Sequence, residues 1–383
     1  MRLIPESRLG RVLLAIATAV ATIVIVLVAS TGWLDAFGAA PTGQRLARIQ
    51  RSPHYKDGSF QNPPAPLIEK PESSPWPSIK RWVAGHEVRT PPGPMPIVRL
   101  TRVAFERTPA SGLRATWLGH SSVLVEIDGA RILFDPVWAR RASPSSLVGP
   151  KRHHEPPLPL EELPPLDAIL ASHDHYDHLD REVVRRLARN PAQSRLRFIV
   201  PLGVGAHLER WGVSPERITE LDWGESTTVA SLNITATPAR HFSGRGLTDR
   251  NHTLWASWSV AGPTHRVFHS GDTGPFPGFA DIGTKHGPFD LTLIKIGAYG
   301  EGWPDIHLTP EQAVEAHRML RGDLLLPIHW GTFNLAFHSW DEPAERVVTA
   351  AQTGTRLVVP RPGESIEPAS ANAVDMWWRS VRP

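Results

Sequence analysis

The chain has 383 residues, which is enough for one large domain or two small ones. Its formal net charge is only +3 and no run of lysine and arginine is suited to follow a phosphate backbone, so a nucleic-acid partner is disfavoured. The chain has no cysteine, which excludes disulfides and thiolate ligands, so any metal must be held by histidine and carboxylate.

The first 34 residues have the pattern of a transmembrane signal anchor. Residues 1–11 carry three arginines and one glutamate, whereas residues 12–34 carry no charge. An apolar helix of this length rises about 1.5 Å per residue and can cross a hydrocarbon core of about 30 Å. The positive flank should stay in the cytoplasm, so we expect a single-pass membrane protein whose domain lies on the outer, periplasmic or extracellular side. A cleaved signal peptide and a buried soluble helix are the alternatives.

Residues 35–110 are rich in proline and are expected to form an extended arm. Prolines cluster at residues 63–66, 75–77 and 91–94. Because proline lacks a backbone N–H and restricts φ, these clusters disfavour regular helix. We interpret the segment as part spacer and part wrapping, with room for a short helix around residues 78–84.

The catalytic domain is expected over residues 111–368, followed by a tail at 369–383. Apolar runs bounded by turn residues predict strands, which fall at 113–117, 122–127, 131–134, 168–171, 197–200, 232–238, 253–260, 266–270, 291–296 and 324–328. Helical patterns occur at 182–188 and 204–211, and Thr309, Pro310 and Gln312 form the start of a helix that runs to about residue 320. Clustered strands broken by amphipathic helices predict two packed sheets with helices outside. Trp377 and Trp378 in the tail indicate a packed cap, with a membrane-interface anchor as the alternative.

Residues 172–180 contain three histidines and three aspartates directly after an apolar strand. The segment should therefore lie on the loop at the carboxyl end of that strand. In such a loop His173 and His175 can share one cation, while Asp177 and His178 reach a second. Imidazole and carboxylate suit zinc, and also iron or manganese. A solvated turn is the alternative, but the dense spacing favours a metal pair.

A two-metal site needs more ligands than this loop supplies. Later candidates at or after the ends of apolar strands are His241, Asp272, His307 and His329. A single histidine is more often structural, but the repeated position after strands favours ligands.

These motifs resemble those of the metallo-β-lactamase superfamily. The resemblance rests on His173-x-His175-x-Asp177-His178 together with His241, Asp272 and His329. Within the superfamily the chain is most similar to the branch of N-acylphosphatidylethanolamine-hydrolysing phospholipase D and its bacterial relatives. The matching segments of that branch are 117–122, 135–137, 142–145, 148–152, 172–180, 271–274, 287–290, 296–299 and 328–333. The resemblance covers roughly residues 50–366.

The resemblance implies an αββα sandwich with a dinuclear site at one edge, with zinc as the first choice and manganese or iron(II) as alternatives. The first metal would be held by His173, His175 and His241. The second would be held by Asp177, His178 and His329, with Asp272 bridging the two.

The expected chemistry assigns further roles around the ligands. His307, which matches a histidine at the site in this branch, would contact the substrate phosphate, either by a hydrogen bond to a non-bridging oxygen or by protonating the leaving group. Asp177 or Asp272 could accept the proton of the attacking water. Asp135 is expected to orient a ligand histidine. His120 either does the same or is a packed structural histidine.

Other polar residues are assigned to packing, solvent or support. The histidines without ligand-like spacing are His153, His154, His265, His286, His317 and His338. Asp174, Tyr176 and Asp180 are expected to orient the loop or to cap the next helix.

The expected reaction is hydrolysis of a phosphodiester. Two cations that share a water lower its pKa, and the resulting hydroxide would attack phosphorus. The expected substrate is an N-acylphosphatidylethanolamine-type phospholipid. The alternatives are a soluble sugar-phosphate lactone or cyclic phosphodiester, and a non-catalytic metal-binding envelope protein. Because relatives form dimers, a homodimer is expected. The animal enzyme of the branch lacks such an N-terminal spanning helix, which leaves the choice between lipid and soluble substrate open.

Overall fold

The computed structural model describes residues 10–12, 14–19, 22, 33–64, 85–352, 354–371 and 374–382. Its centre is a pair of seven-stranded sheets. In spatial order the first sheet consists of Ser365–Ile366, Leu113–Gly119, Ser122–Ile127, Ala130–Phe134, Ala168–Leu170, Arg197–Pro201 and Ile218–Leu221. The second consists of Arg356–Leu357, Gly322–Ile328, Phe289–Lys295, Arg266–His269, Ser257–Ala261, Leu232–Thr237 and Ser226–Val229. Helices in the described residues include Gly43–Arg51, Arg181–Arg189, Gly205–Arg210, Gly278–His286, Pro310–Met319 and Glu342–Ala351.

Successive residues of a central strand face two different layers. In Ser122–Ile127, Val123 and Val125 belong to the core between the sheets, whereas Leu124 packs in a separate cluster with Val183 and Leu187 of the helix Arg181–Arg189. This alternation follows from the two-residue period of a strand. The helix Arg181–Arg189 packs on the outer face of the first sheet. The helix Pro310–Met319 contacts Phe289–Lys295 and Gly322–Ile328 of the second. The structure therefore confirms the predicted αββα sandwich.

Parallel strands in both sheets bring their carboxyl ends to one edge. Ala130–Phe134 pairs in parallel with Ala168–Leu170. In the other sheet Phe289–Lys295 pairs in parallel with both Arg266–His269 and Gly322–Ile328. The loops that carry the candidate ligands begin where these strands end, so side chains that are distant in sequence meet at this edge.

Local sequence signals account for part of the helix content. The predicted helix start at Thr309 is confirmed, because the Thr309 hydroxyl accepts from the backbone of Gln312 and the Gln312 side chain accepts from Thr309. The helices Gly278–His286 and Glu342–Ala351 were not predicted. The first contains two glycines and the second a β-branched run, and both features lower intrinsic helix propensity. Both segments are nevertheless helical, because one face of each helix is buried against the domain.

The structure corrects the prediction of a membrane anchor over residues 12–34. A span needs about 20 consecutive apolar residues in one helix, and the described part of the chain contains no helix long and apolar enough to cross a bilayer. The prediction of a single-pass membrane protein with its domain on the outer side is therefore wrong. Residues 13, 20, 21 and 23–32 of the segment lie outside the described residues.

The N-terminal arm is more structured than its proline content indicates. It forms the helix Gly43–Arg51 and a hairpin of Tyr55–Lys56 with Ser59–Phe60. Ile49 and Phe60 are buried in a cluster with residues of the domain, such as Trp255. The helix lies before the first proline cluster, so proline does not oppose it. Residues 65–84, including the proposed short helix at 78–84, lie outside the described residues.

The C-terminal tail packs on the domain through its tryptophans. Trp377 and Trp378 are buried, and their rings lie 5.6 and 5.8 Å from that of Trp330. Trp330 directly follows the candidate ligand His329. The arrangement is that of a packed cap over the strand that carries this ligand.

Candidate metal centre

The loop that follows strand Ala168–Leu170 is held at both ends. Asp180 caps the helix Arg181–Arg189, since its Oδ1 accepts from the backbone N–H of Glu182 at 2.8 Å. The buried guanidinium of Arg245 donates to the backbone carbonyls of Asp174 and Leu179, the latter at 3.0 Å. The loop therefore presents its histidines from a fixed backbone.

Three histidines form the first ligand group. Nε2 of His173 lies 2.8 Å from Nδ1 of His175, and Nε2 of His241 lies 3.2 Å from the same atom. Burial holds the pKa of His173 and of His241 well below its ordinary value, so both are neutral imidazoles. This is the protonation state in which histidine binds a metal.

The second group combines two histidines and two carboxylates. Nε2 of His329 lies 3.0 Å from Oδ2 of Asp272 and 3.4 Å from Oδ2 of Asp177. Nε2 of His178 lies 3.3 and 3.4 Å from the same two oxygens. Asp272 also lies 3.7 Å from Nε2 of His241, so it contacts both groups.

The geometry of both groups fits divalent cations. Ligand atoms about 2.0–2.1 Å from a tetrahedral zinc lie roughly 3.4 Å apart, which is close to the separations between these nitrogens and oxygens. His178 Nε2, His329 Nε2 and Asp272 Oδ1 are buried and have no hydrogen-bond partner among the described residues. Buried polar atoms without partners are rare in proteins unless another group binds them. The residues therefore fit a metal centre.

The charges of the residues in the second group also favour a bound cation. Burial alone would raise the pKa of Asp177 and of Asp272, but neighbouring histidines hold both well below the ordinary value. Burial alone would lower the pKa of His178, but Asp272, Asp177 and Asp135 raise it well above the ordinary value. The second group therefore combines buried carboxylates with imidazoles, a donor set to which a divalent cation would add compensating charge.

Asp135 lies directly behind the ligand loop. It follows strand Ala130–Phe134, and its carboxylate accepts from Nδ1 of His178 at 2.7 Å and from the backbone N–H of Ser172 at 2.6 Å. The Ser172 hydroxyl also lies 2.9 Å from Nδ1 of His173. With Nδ1 of both histidines held in this way, Nε2 of each faces other candidate ligands, an arrangement that commonly supports ligand histidines.

His120 lies against the second group. Its Nε2 is 2.9 Å from Oδ2 of Asp177, and its ring centroid is 4.0 Å from that of His329. Burial lowers the pKa of His120 to about 3, so it is a neutral donor to Asp177. Its φ of 51° and that of His329, 62°, both lie in the left-handed region, where non-glycine residues are uncommon outside constrained sites.

His307 borders the ligands without completing either group. Its Nε2 lies 3.9 Å from Oδ2 of Asp272, and its Nδ1 is buried without a partner among the described residues. His241, Asp272 and His307 nonetheless lie close enough to form a further possible set of ligands. Burial, with the Lys295 amine second, holds the pKa of His307 well below its ordinary value.

A cavity of about 340 Å³ opens over the two groups. Its apolar wall includes Phe242, Trp303, Ile306 and Leu335. The exposed guanidinium of Arg250 lies 4.2 Å from the centre of the Phe242 ring at this cavity.

Lys295 is a residue of the site that the sequence analysis missed. It is fully buried at the carboxyl end of strand Phe289–Lys295, where its amine donates to the Gly297 carbonyl at 2.7 Å. Burial lowers its pKa to about 7, although Asp272 and Asp177 act in the opposite direction. A lysine directly after Leu293 and Ile294, in the last position of the strand, is the sequence signal that indicates it.

The histidines assigned to packing or solvent have other partners or lie apart from the ligand groups. His265 contacts Asp128 at 2.7 Å, and His317 contacts the Thr292 hydroxyl at 2.7 Å. His338 accepts from the backbone N–H of Ala298. None of the six belongs to a group of possible ligands in the described residues.

Comparisons with known proteins identify the same architecture. Residues 130–330 match the family model of the beta-lactamase superfamily domain. A metallo hydrolase from the archaeon Ignicoccus hospitalis has a similar fold, with a TM-score of 0.50 and 24% identity over 66% of this chain and 97% of that one.

Sequence similarity to curated relatives extends beyond residues 130–330. An uncharacterised protein of Mycobacterium tuberculosis is 48% identical over 335 residues, which cover 86% of this chain and 88% of that protein. The N-acyl-phosphatidylethanolamine-hydrolyzing phospholipase D 1 of Caenorhabditis elegans is 44% identical over 250 residues, or 62% of this chain and 69% of that protein.

Proposed function

The chain belongs to the metallo-β-lactamase superfamily, as a metal-dependent hydrolase of the branch similar to N-acylphosphatidylethanolamine-hydrolysing phospholipase D, and we propose that it cleaves a phosphodiester bond. We propose an N-acylphosphatidylethanolamine-type phospholipid as the substrate. The observation that carries this proposal is one cavity in which two groups of metal-ligand atoms meet an apolar wall.

Two divalent cations fit the ligand groups, and we propose zinc for both. His173, His175 and His241 would hold one, and Asp177, His178 and His329 the other, with Asp272 between them. When bound, such cations lower the pKa of a water and stabilise charge on phosphoryl oxygens.

Residues of the chain supply proton transfer and orientation. Asp177 and Asp272 both lie among the candidate ligands at the cavity, and we propose that one of these two carboxylates accepts the proton of the attacking water. His307 lies on the cavity side of Asp272 and, as a neutral imidazole, can donate one N–H to a non-bridging phosphoryl oxygen.

The cavity matches the polar and apolar parts of such a substrate. Its volume of about 340 Å³ is at the lower end of small-molecule sites, so it suits the head group rather than a whole lipid. Phe242, Trp303 and Leu335 offer apolar contacts to the first carbons of an acyl chain. Arg250 places a positive charge where an anionic diester enters.

The deciding experiment pairs a metal count with turnover on the full chain. Bound metal is measured by elemental analysis, and hydrolysis is measured with N-acylphosphatidylethanolamine in mixed micelles beside a soluble phosphodiester. Asp272→Asn serves as the inactive control. We expect about two metals per chain and metal-dependent release of phosphatidic acid.

Each other outcome has a defined meaning. Turnover of the soluble ester alone would indicate that the substrate is a soluble phosphodiester and not a lipid. Metal binding without turnover of either would favour a non-catalytic metal-binding protein. A folded protein without stoichiometric metal would contradict the proposed mechanism.

A further inference from the structure

The side chain of Asn62, in the N-terminal arm, forms two hydrogen bonds with the backbone of His241. Nδ2 of Asn62 donates to the His241 carbonyl at 2.8 Å, and the His241 N–H donates to Oδ1 of Asn62 at 2.9 Å. One carboxamide thus satisfies both backbone polar groups of this residue. The two residues are 179 positions apart in the sequence.

His241 needs such a partner because it lies outside the sheet. It is buried on the segment between strands Leu232–Thr237 and Ser257–Ala261, and no strand in the described residues pairs with its backbone. Buried backbone N–H and C=O groups require hydrogen bonds, and here Asn62 provides them. The His241 ring is fixed separately, since its Nδ1 donates to the Ile306 carbonyl at 3.2 Å, which leaves Nε2 for a metal.

Asn62 is itself held in place by the arm. Phe60 is fully buried in the cluster with Trp255, and its N–H donates to the Asn251 carbonyl at 2.9 Å. On the other side, the Arg240 guanidinium donates to the Pro63 carbonyl. The carboxamide therefore approaches His241 from a docked segment rather than from a free loop.

We infer that Asn62 is a positioning residue of the metal centre, which acts by fixing His241 as a ligand of the first metal. The hairpin segment 55–63 lies outside residues 130–330 of the matched domain. On this inference it nevertheless helps to position a ligand of the first metal. The inference rests on the proposed two-metal centre and not on the identity of the substrate.

The neighbouring residue offers a matched control. Among the described residues, the Gln61 carboxamide donates only within its own hairpin, to the Lys56 and Ser59 carbonyls and the Ser59 hydroxyl, and it is exposed. Asn62→Ala removes both hydrogen bonds to the His241 backbone, whereas Gln61→Ala removes a carboxamide one position away that does not contact His241. Asn62→Asp is a second variant of the same size, which keeps an acceptor for the His241 N–H and loses the donor to its carbonyl.

The experiment measures zinc affinity of the full chain by competition with a chelator, together with kcat and KM for the phosphodiester. We expect Asn62→Ala to weaken binding of one of the two metals by about 10–100-fold, the range typical of residues that support a ligand. Asn62→Asp should weaken it less, and Gln61→Ala should match the unmodified chain. The loss of turnover at subsaturating zinc should appear in kcat, be restored by excess zinc, and leave KM unchanged.

The outcomes separate this inference from the proposed function. Failure of the unmodified chain to bind two metals would contradict the proposed centre. Two metals bound with unchanged affinity in Asn62→Ala would overturn the role of Asn62 while leaving the proposed function intact. If Asn62→Ala does not fold, zinc affinity of Asn62→Asp equal to that of Gln61→Ala overturns the inference.

Discussion

Asp135 and His178 form a buried pair in which the carboxylate accepts from Nδ1 of the imidazole at 2.7 Å. The same carboxylate accepts from the backbone and hydroxyl of Ser172, so one side chain fixes both the loop and a ligand on it. Asp135 holds this position with a φ of 39° directly after its strand. The strand end, the loop and the ligand are thereby joined in one hydrogen-bonded unit.

Asp135→Asn should weaken metal binding while the overall fold is kept. The amide has the same shape but lacks the charge that orients His178 and raises its basicity, so we expect about 10–100-fold lower zinc affinity. Chelator competition measures this loss, with circular dichroism as the check on folding. Unchanged affinity would show that the loop backbone alone orients His178.

His307→Ala should separate catalysis from metal binding. If His307 donates a hydrogen bond to the phosphoryl oxygen, the variant keeps two metals and loses roughly 10²–10³-fold in kcat, the range for removal of one donor that stabilises developing charge. Elemental analysis and steady-state kinetics are measured on the same preparation. Loss of one metal instead would identify His307 as a ligand, as its proximity to His241 and Asp272 also allows.

The sequence was sufficient for the parts of the site that are encoded locally. The dense spacing at His173–His178 and the position of Asp272 after a strand identified side chains that the structure brings together. The αββα fold followed from strand patterns and the family resemblance. These features depend on short-range spacing, which a single sequence displays directly.

Contacts between distant segments could not be predicted in this way. Asn62 meets His241 only because Phe60 docks the hairpin in an apolar cluster, and nothing near Asn62 indicates that partner. The anchor prediction over residues 12–34 failed for a related reason. Hydropathy describes what a segment could do in a bilayer, whereas the described part of the chain contains no helix long and apolar enough to cross one.

Lys295 should make the stability of the metal-free protein depend on pH. Its pKa is about 7 in the folded chain against an ordinary 10.5, because burial disfavours the charged amine. Below pH 7 both states carry the proton, and the buried charge lowers stability in full. Between about pH 7 and 10.5 the unfolded state binds more protons, so stability rises with pH over this window.

Lys295→Met removes this dependence and provides the test. We expect the variant to be more stable than the unmodified chain at pH 6.5, and the difference to shrink by pH 9.5. Urea unfolding of both metal-free proteins at the two pH values gives the comparison. Parallel changes in the two proteins would show that the amine keeps its proton, or finds water, in the folded state.

Trp378 should contribute strongly to stability although it lies five residues from the end of the chain. Its ring is buried against Trp330, and its indole N–H donates to Glu345 at 2.8 Å. Trp378→Ala removes both contacts and should cost about 3–5 kcal/mol, as for other buried aromatic residues.

The adjacent Arg379 is the matched control, because its side chain is exposed and pairs with the same Glu345. Arg379→Ala should cost far less than Trp378→Ala, because an ion pair of an exposed arginine is screened by solvent. Urea unfolding at pH 7 measures both variants, and equal small losses would mean that the tail is not part of the cooperative core beneath His329.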